Sequence, residues 1–332
     1  MKPLRTPIVE TAAYSPSTTQ SIDVRLKGYI TQIDVLITLN ITASSSATPK
    51  SDDTLLRIAD ALKFTSSGSP DFYSVRDLRE GWWISYIKSQ GQAYADVLAS
   101  GYAAAADKYI QFTIHPGSNF GNAWDLSRNV PLRGLSNVQF QITWGTASDL
   151  GTGYTINSGN LAIVVYTQYL EKGESEADAF RPLNYLMRPR YVPVLYEPGA
   201  ATYASYGFSQ NVLTGAYVRD VSLIVLSSGD LRSNADVTAF QVADNLGNTP
   251  LKATNFTQYV RQTQQRYYLP ATNAGIVRIP FKDVTQRDYG LNMVGAGLGD
   301  WMIQFTTGAA SGHVHAVYEM ADLINIDPTV VG

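Results

Sequence analysis

Gln141-Ile142-Thr143-Trp144-Gly145, with Ala147-Ser148 just after it, is repeated as Gln304-Phe305-Thr306-Thr307-Gly308 with Ala310-Ser311. Three other blocks are repeated in the same chain order. Leu26-Lys27-Gly28 leading into Leu36-Ile37 matches Leu213-Thr214-Gly215 leading into Leu223-Ile224. Val130-Pro131-Leu132-Arg133 matches Ile279-Pro280-Phe281-Lys282, and Val165-Tyr166 matches Val317-Tyr318. Gly28 and Gly215 are 187 residues apart, whereas Pro131 and Pro280 are 149 apart. The conserved order with unequal spacing predicts two copies of one domain fold, joined by loops of different length.

Composition suits a protein that buries much of its surface against neighbours, and it suits equally an ordinary Tyr- and Ser-rich β protein with a neutral polar surface. The 332 residues suffice for two domains of roughly 100–200 residues each. Only 16% of residues are charged, so contacts with neighbours cost little desolvation. The net charge of −3 gives no general attraction to nucleic acid, and the absence of cysteine excludes disulfides and thiolate chemistry. Residues 1–16 lack the apolar region of a signal peptide, and no apolar run reaches the ~20 residues that span a bilayer, so we expect a soluble chain or a component of a soluble assembly.

Strand patterns dominate both halves. The odd positions from Ile33 to Ile41 are all apolar, and Phe140, Ile142 and Trp144 alternate with polar neighbours in the same way. A period of two predicts strands with one buried face. The continuous apolar runs 161–166 and 223–226 predict strands buried on both faces.

Helical patterns are few and lie between the repeated blocks. Helical spacing predicts helices over 51–64, from a Ser74/Asp77 capping box through Ile87, over the Ala-rich segment 94–108, and over 254–265. Gly28 and Pro131 are 103 residues apart, but Gly215 and Pro280 only 65. The first copy is therefore predicted to carry 38 extra residues that include its helices.

These patterns predict an all-β chain of two tandem eight-stranded antiparallel jelly rolls, with a few short helices in loops. We place an N-terminal arm at 1–20, the first jelly roll at 21–180 and the second at 181–332. The acidic segment 171–178 is interpreted as a solvated turn at the join. Prolines follow it and predict an extended path: Pro182, Pro189, Pro193 and Pro198.

Two jelly rolls in tandem, with few charges and no catalytic motif, resemble the major capsid proteins of tailless icosahedral viruses, the lineage of adenovirus hexon and membrane-containing bacteriophages. The resemblance implies a structural protein without enzymatic activity, cofactor or metal, whose homotrimer forms a pseudo-hexagonal tile of the virion shell. It implies an N-terminal arm, here with Lys2 and Arg5, on the inner side of the shell. Expected partners are neighbouring capsomers and minor capsid or vertex proteins, with an internal membrane left open, and no specific nucleic acid or small molecule. The implied location is the virion, after assembly in the host cytoplasm.

A cupin-like metalloenzyme is the main alternative. His313 and His315 are two apart, so on a strand both imidazoles face one side, and Glu319 follows at the spacing of a cupin metal motif. No histidine follows His315, and His115 is the only other one in the chain. The repeat alignment places Leu161 and Ile163 at the positions of the two histidines. We therefore favour strand or interface histidines over a metal site.

Three further patterns have structural interpretations that we prefer. The loop Gly295–Gly299 resembles a phosphate loop but lacks a following helix. The cations and aromatics of 181–191 (Arg181, Tyr185, Arg188, Arg190 and Tyr191) could stack on single-stranded nucleic acid, and we favour a linker that packs over the domains. Exposed aromatics such as Trp82 and Tyr203 would suit a carbohydrate-binding or host-binding β protein, whereas burial is the preferred interpretation of Trp82-Trp83. Residues 65–73 are expected to be a tolerant loop, and a charge at Phe140 or Phe305 is expected to abolish folding.

Overall fold

The computed structural model describes residues 6–24, 27–51, 53–67, 69–101, 104–115, 129–170, 172–179, 185–199, 204–207, 216–244, 249, 251–271, 273–281, 291–292, 301–308 and 312–325. The chain divides into two compact units. Unit 1 comprises Met1–Arg190 with Leu323–Gly332, and unit 2 comprises Tyr191–Asp322. No helix in the described ranges is both long and apolar enough to cross a membrane.

Unit 1 is built mainly of strands: β1 Thr6–Ala13, β2 Thr19–Asp23, β3 Tyr29–Pro49, β4 Ala59–Ser67, β5 Ser69–Val75, β6 Tyr94–Ala95, β7 Ala106–Ile114, β8 Val130–Pro131, β9 Ser136–Trp144 and β10 Gly151–Gln168. Its helices are short: α1 Leu78–Lys88, α2 Ala147–Leu150, α3 Glu176–Ala179 and a 3-10 turn at Thr54–Ile58. One sheet has the order β1-β10-β3-β7-β6, with β8 beside β3. The other has the order β2-β9-β4-β5.

Unit 2 repeats this plan with β11 Tyr185–Tyr196, β12 Ala204–Gly207, β13 Tyr217–Leu226, β14 Val237–Asp244, β15 Leu251–Ala253, α4 Phe256–Arg266, β16 Ile276–Pro280, β17 Leu291–Asn292, β18 Trp301–Thr307 and β19 His313–Asn325. The sheet orders are β11-β19-β13-β16, with β17 beside β13, and β12-β18-β14-β15. Each unit thus has two antiparallel sheets of four main strands with the same connectivity. The predicted pair of eight-stranded jelly rolls is confirmed.

The cores follow the period-two pattern of the sequence. The odd residues of β3 from Ile33 to Ile41 are fully buried, as are Phe140, Ile142 and Trp144 of β9, so the strand phase is confirmed. In unit 2 the equivalent residues of β13 and β18 form one apolar cluster, to which Phe305 belongs. The run 223–226 is buried on both faces as predicted, but 161–166 is not, because its even positions are only half-buried.

The repeated block 141–145 and its match 304–308 end in equivalent backbone hydrogen bonds in the two units. The backbone N–H of Gly145 donates to Ile58 O at 2.7 Å, and that of Gly308 donates to Asp236 O at 3.0 Å. A β-carbon at Gly308 would lie 2.2 Å from Ala235 O, and one at Gly145 would lie 3.2 Å from Arg57 O, the equivalent carbonyl. This close backbone approach explains why glycine recurs at the end of both blocks.

The match extends without insertion or deletion over 58–88 and 236–266. Both β4 and β14 carry a bulge after their first residue, at Ala59/Ala61 and Val237/Ala239. The strands β5 and β15 pair with them at equivalent residues, since Leu62 faces Val75 and Phe240 faces Ala253. The helices α1 and α4 follow with the same length, capped by the side chains of Asp77 and Asn255.

Other parts of the sequence comparison were wrong. Val130-Pro131 pairs with the start of β3, and its equivalent is Leu291-Asn292, which pairs with the start of β13. Ile279-Pro280 lies in β16, the counterpart of β7. The helix α1 is therefore not an insertion, because α4 matches it. The extra residues of the first copy lie mainly in the longer strand β3 and between α1 and β7.

Several local predictions also need correction. Helix α1 ends at Lys88 and helix α4 begins at Phe256, each within two residues of the predicted position. The segment 51–64, however, forms one 3-10 turn and then β4, and 94–108 contains β6 and the start of β7. Pairing with β9 and β3 outweighs the helical propensity of these two segments. Residues 65–73 are not a loop, since they lie in the β4–β5 hairpin with Phe72 and Tyr73 buried. Within the segment expected to be an arm, β1 pairs along its length with β10 as an edge strand of the first sheet.

Candidate functional site

The two histidines lie on the outward face of unit 2, the face of its first sheet opposite the core. His313 and His315 pair with Leu226 and Ile224 of β13, while the intervening Val314 is buried in the core. Their ring centroids are 5.4 Å apart, and His313 Nε2 lies 3.6 Å from Asp230 Oδ1. Their counterparts in unit 1 are Asn160 and Ala162, not Leu161 and Ile163, because a one-residue slip moves a strand residue to the other face.

Glu319 is not brought to the histidines. Four residues of extended strand separate it from His315 by roughly 13 Å. Its carboxylate instead lies 3.0 Å from Arg278 NH1. The described residues contain no group of three side chains that could hold a metal ion, so the cupin-like alternative of a His313/His315/Glu319 cluster is not supported.

A buried ion cluster, defined by Asp220, Arg278 and Glu319, occupies neighbouring positions on β13, β16 and β19. Arg278 NH2 donates to Asp220 Oδ2 at 3.0 Å, and all three side chains are almost fully buried. Burial alone would lower the pKa of Arg278, but Glu319 and Asp220 together raise it above its ordinary value. The cluster therefore holds three strands together through charges that depend on one another.

A second buried cluster in unit 1 contains Tyr29, Arg133 and Glu176. The Tyr29 hydroxyl donates to Glu176 Oε1, Arg133 NH1 lies 2.9 Å from Glu176 Oε2, and Arg133 NH2 donates to Asn325 O at 2.7 Å. The Glu176 side chain is 0% exposed, so the interpretation of 171–178 as a solvated turn is wrong at this residue. Burial, followed by the bond to Glu176, raises the pKa of Tyr29. The cluster anchors α3 and the end of β19 to the start of β3.

The paired tryptophans are structural. Trp82 is 8% exposed and Trp83 is 5% exposed. Trp82 Nε1 donates to Tyr94 O at 3.0 Å, and its ring stacks on Tyr86 at a centroid distance of 4.8 Å. Trp82 therefore does not provide a surface on which a glycan could stack, because neither indole presents a face to solvent.

Of residues 181–191, for which we preferred a linker to nucleic-acid binding, those from 185 onwards lie in strand β11, in which Tyr191 is buried and Arg188 and Arg190 are half-buried. The extended path expected from its prolines is confirmed. Other predicted positions lie outside the described residues: Lys2, Arg5, Arg181, Tyr203 and the loop Gly295–Gly299.

The outward face of unit 1 differs from that of unit 2 in exposure. In unit 1, Val9 is 63% exposed and Leu36 is 38% exposed. The counterpart of Leu36 in unit 2 is Ile224, which is 3% exposed. The position of Leu36 is thus open in unit 1, whereas its counterpart is buried in unit 2.

Solved structures match the chain along nearly its whole length, although no protein-family model and no curated protein sequence matches it. A chain in the atomic structure of Sulfolobus turreted icosahedral virus has a TM-score of 0.77 at 15% identity, over 98% of this chain and 92% of that chain. The crystal structure of the major capsid protein of that virus has a TM-score of 0.75 at 15% identity, over 96% and 98% of the two chains. The major capsid protein of bacteriophage PM2 has a TM-score of 0.55 at 10% identity, over 97% and 98%.

The chain has the double-jelly-roll fold of viral major capsid proteins. The resemblance inferred from the internal repeat is thereby confirmed at the level of the fold.

Sequence reasoning missed the two buried charge clusters of the double jelly roll. A signal for the first was present, since Arg278 and Glu319 each interrupt an apolar run, Ile276–Ile279 and Val317–Met320. A charge inside such a strand predicts a buried partner of opposite sign. Nothing local distinguishes Glu176 from its acidic neighbours.

Proposed function

We propose that the chain is the major capsid protein of an icosahedral virus, a structural protein without enzymatic activity. Three copies would form a pseudo-hexagonal tile, because two similar units per chain let threefold symmetry imitate sixfold symmetry. Support comes from one observation above all: two jelly rolls of identical strand order match major capsid proteins over nearly the entire chain. The jelly-roll limits 21–180 and 181–332, with an N-terminal arm at 1–20, are part of the proposal.

The partners follow from this role. The chain would contact copies of itself within the trimer and then neighbouring capsomers, minor capsid or vertex proteins, with an internal membrane as an open possibility. Assembly would take place in the host cytoplasm and the product would be the virion shell. Low charge supports this use, since a surface with only 16% charged residues is desolvated at low cost when tiles meet.

Light scattering and electron microscopy of the purified protein test the proposal. The expected result is a particle with the mass of three 36.3 kDa chains and a six-lobed outline. A protein that stays monomeric at all concentrations, or that forms only two-lobed particles, would contradict it.

A further inference from the structure

The outward face of unit 1 carries exposed apolar residues that the fold itself does not use. We propose that this open face packs against a second copy of the chain, an inference that rests on the proposed function. The open face is formed by residues that point away from the core of unit 1 on β1, β10, β3 and β7: Val9, Thr11, Ala162, Val164, Leu36, Gln111 and Tyr109.

The internal repeat supplies the first argument. In unit 2 three of the corresponding residues, Val317 of β19, Ile224 of β13 and Ile276 of β16, are buried, whereas His315, the counterpart of Ala162, is half-buried. The two faces belong to matched strands in the same order, so this surface of the fold is compatible with burial. In unit 1 it stays open in the single chain, with Val9 63% exposed.

The chemistry of the open face supplies the second argument. Its central carboxylate, Asp34, already accepts hydrogen bonds from Gln32 Nε2 at 2.7 Å and from Thr113 Oγ1 at 2.8 Å. Asp107, at the end of the face, accepts from Asn40 Nδ2 at 2.7 Å. These hydrogen bonds satisfy part of the acceptor capacity of both carboxylates, and a partner surface that also supplies a cation would offset the cost of desolvating their charges.

Size supplies the third argument. Four strands about 4.8 Å apart and roughly eight residues long at about 3.3 Å per residue cover roughly 500 Å². A stable interface buries about 800 Å² on each partner. The open face therefore provides more than half of one side of a standard interface. If the open face packs against a different surface of the next copy, the contact is head-to-tail and can close into a ring of copies.

Charge substitutions test the interface directly. Val9→Asp and Leu36→Asp place a carboxylate on the open face, whereas Leu231→Asp places one on an exposed leucine of unit 2 that is 47% exposed. Light scattering over a dilution series should show at least a tenfold rise in the dissociation constant of the oligomer for the first two variants. The Leu231→Asp control should stay within twofold of the wild type.

Thiol labelling provides a second readout that does not depend on a disruptive charge. The chain has no cysteine, so Leu36→Cys and Leu231→Cys each introduce a single thiol. We expect maleimide to label Leu36→Cys at least tenfold more slowly in the oligomer than in the dissociated chain, and Leu231→Cys at similar rates in both. If the wild type is only a monomer, the proposed function and this inference both fail. If the wild type assembles but Leu36→Cys is labelled equally fast in both states, only this inference is overturned.

Discussion

Replacing Arg278 with methionine removes the only cation of the buried cluster formed with Asp220 and Glu319. The two carboxylates each lie 3.0 Å from a guanidinium nitrogen, and Arg278 is only 6% exposed. Methionine keeps most of the side-chain volume, so the cost is chiefly electrostatic. Breaking a buried ion pair by removing one partner costs about 3–5 kcal/mol, and here two carboxylates are left behind. Against a typical domain stability of about 5–15 kcal/mol, unit 2 should be severely destabilised.

Urea denaturation, combined with hydrogen exchange of peptides from β13 and β16, measures this loss. The exchange data assign the change to unit 2, because a two-unit chain need not unfold in one step. Arg278→Lys, which keeps the charge but not the two-pronged geometry, should lose less than Arg278→Met. The triple variant Arg278→Met, Asp220→Asn, Glu319→Gln should regain much of the stability, since it leaves no buried charge unpaired.

An Arg278→Met protein within about 1 kcal/mol of wild type at pH 8 would refute the reasoning, because it would mean that the cluster is solvated or contributes nothing to pairing of the three strands.

Four further substitutions test other parts of the fold. Phe305→Asp and Phe140→Asp should each prevent folding, since an unpaired charge would replace a fully buried ring, and soluble protein with normal melting would contradict the assigned strand phase. Trp82→Ala should lower the unfolding free energy by about 3–5 kcal/mol in a denaturant titration, and glycan-array binding that depends on Trp82 would contradict its structural role. Burial raises the pKa of Tyr29 above 10.0, so the contribution of Tyr29 to folding stability is present below pH 10 and is lost as the pH rises further. The midpoint of urea unfolding should therefore fall less steeply between pH 9 and pH 11 in Tyr29→Phe than in wild type.

Local patterns predicted the strands and the central repeated block because their causes are local. Alternation from Ile33 to Ile41 follows from a sheet with one buried face. The glycines at 145 and 308 follow from a backbone contact that leaves no room for a β-carbon. Neither feature requires knowledge of distant residues beyond the existence of a partner strand.

Pairing between distant segments explains the errors. Val130-Pro131 and Ile279-Pro280 look alike in composition, but each takes its place from the residues that it faces, Tyr29 in one unit and Asp220 in the other. The true counterpart of Val130-Pro131, Leu291-Asn292, shares no recognisable pattern with it. Short apolar-proline pairs therefore carry little information about position in a sheet, whereas a glycine imposed by a close contact carries much.

The buried carboxylate of Glu176 could not be predicted for the same reason. Its partner Tyr29 lies 147 positions away, and Arg133 belongs to a loop between two other strands. An acidic segment next to a chain of prolines is usually solvated, and only the tertiary structure shows which of its carboxylates is enclosed.

Divergence between the two units is greatest on the outward face of the first sheet. Core positions of β3 and β13 exchange one aliphatic residue for another, as with Ile37 and its counterpart Val225. Outward positions change chemical class, since Tyr166 corresponds to Glu319 and Thr113 to Arg278. Over 58–88 and 236–266, in contrast, the hairpin, the bulge and the helix keep the same length and pairing. A duplicated fold that preserves its core and varies one surface has been adapted through what that surface contacts, which is the behaviour of a building block whose two copies occupy different positions in an assembly.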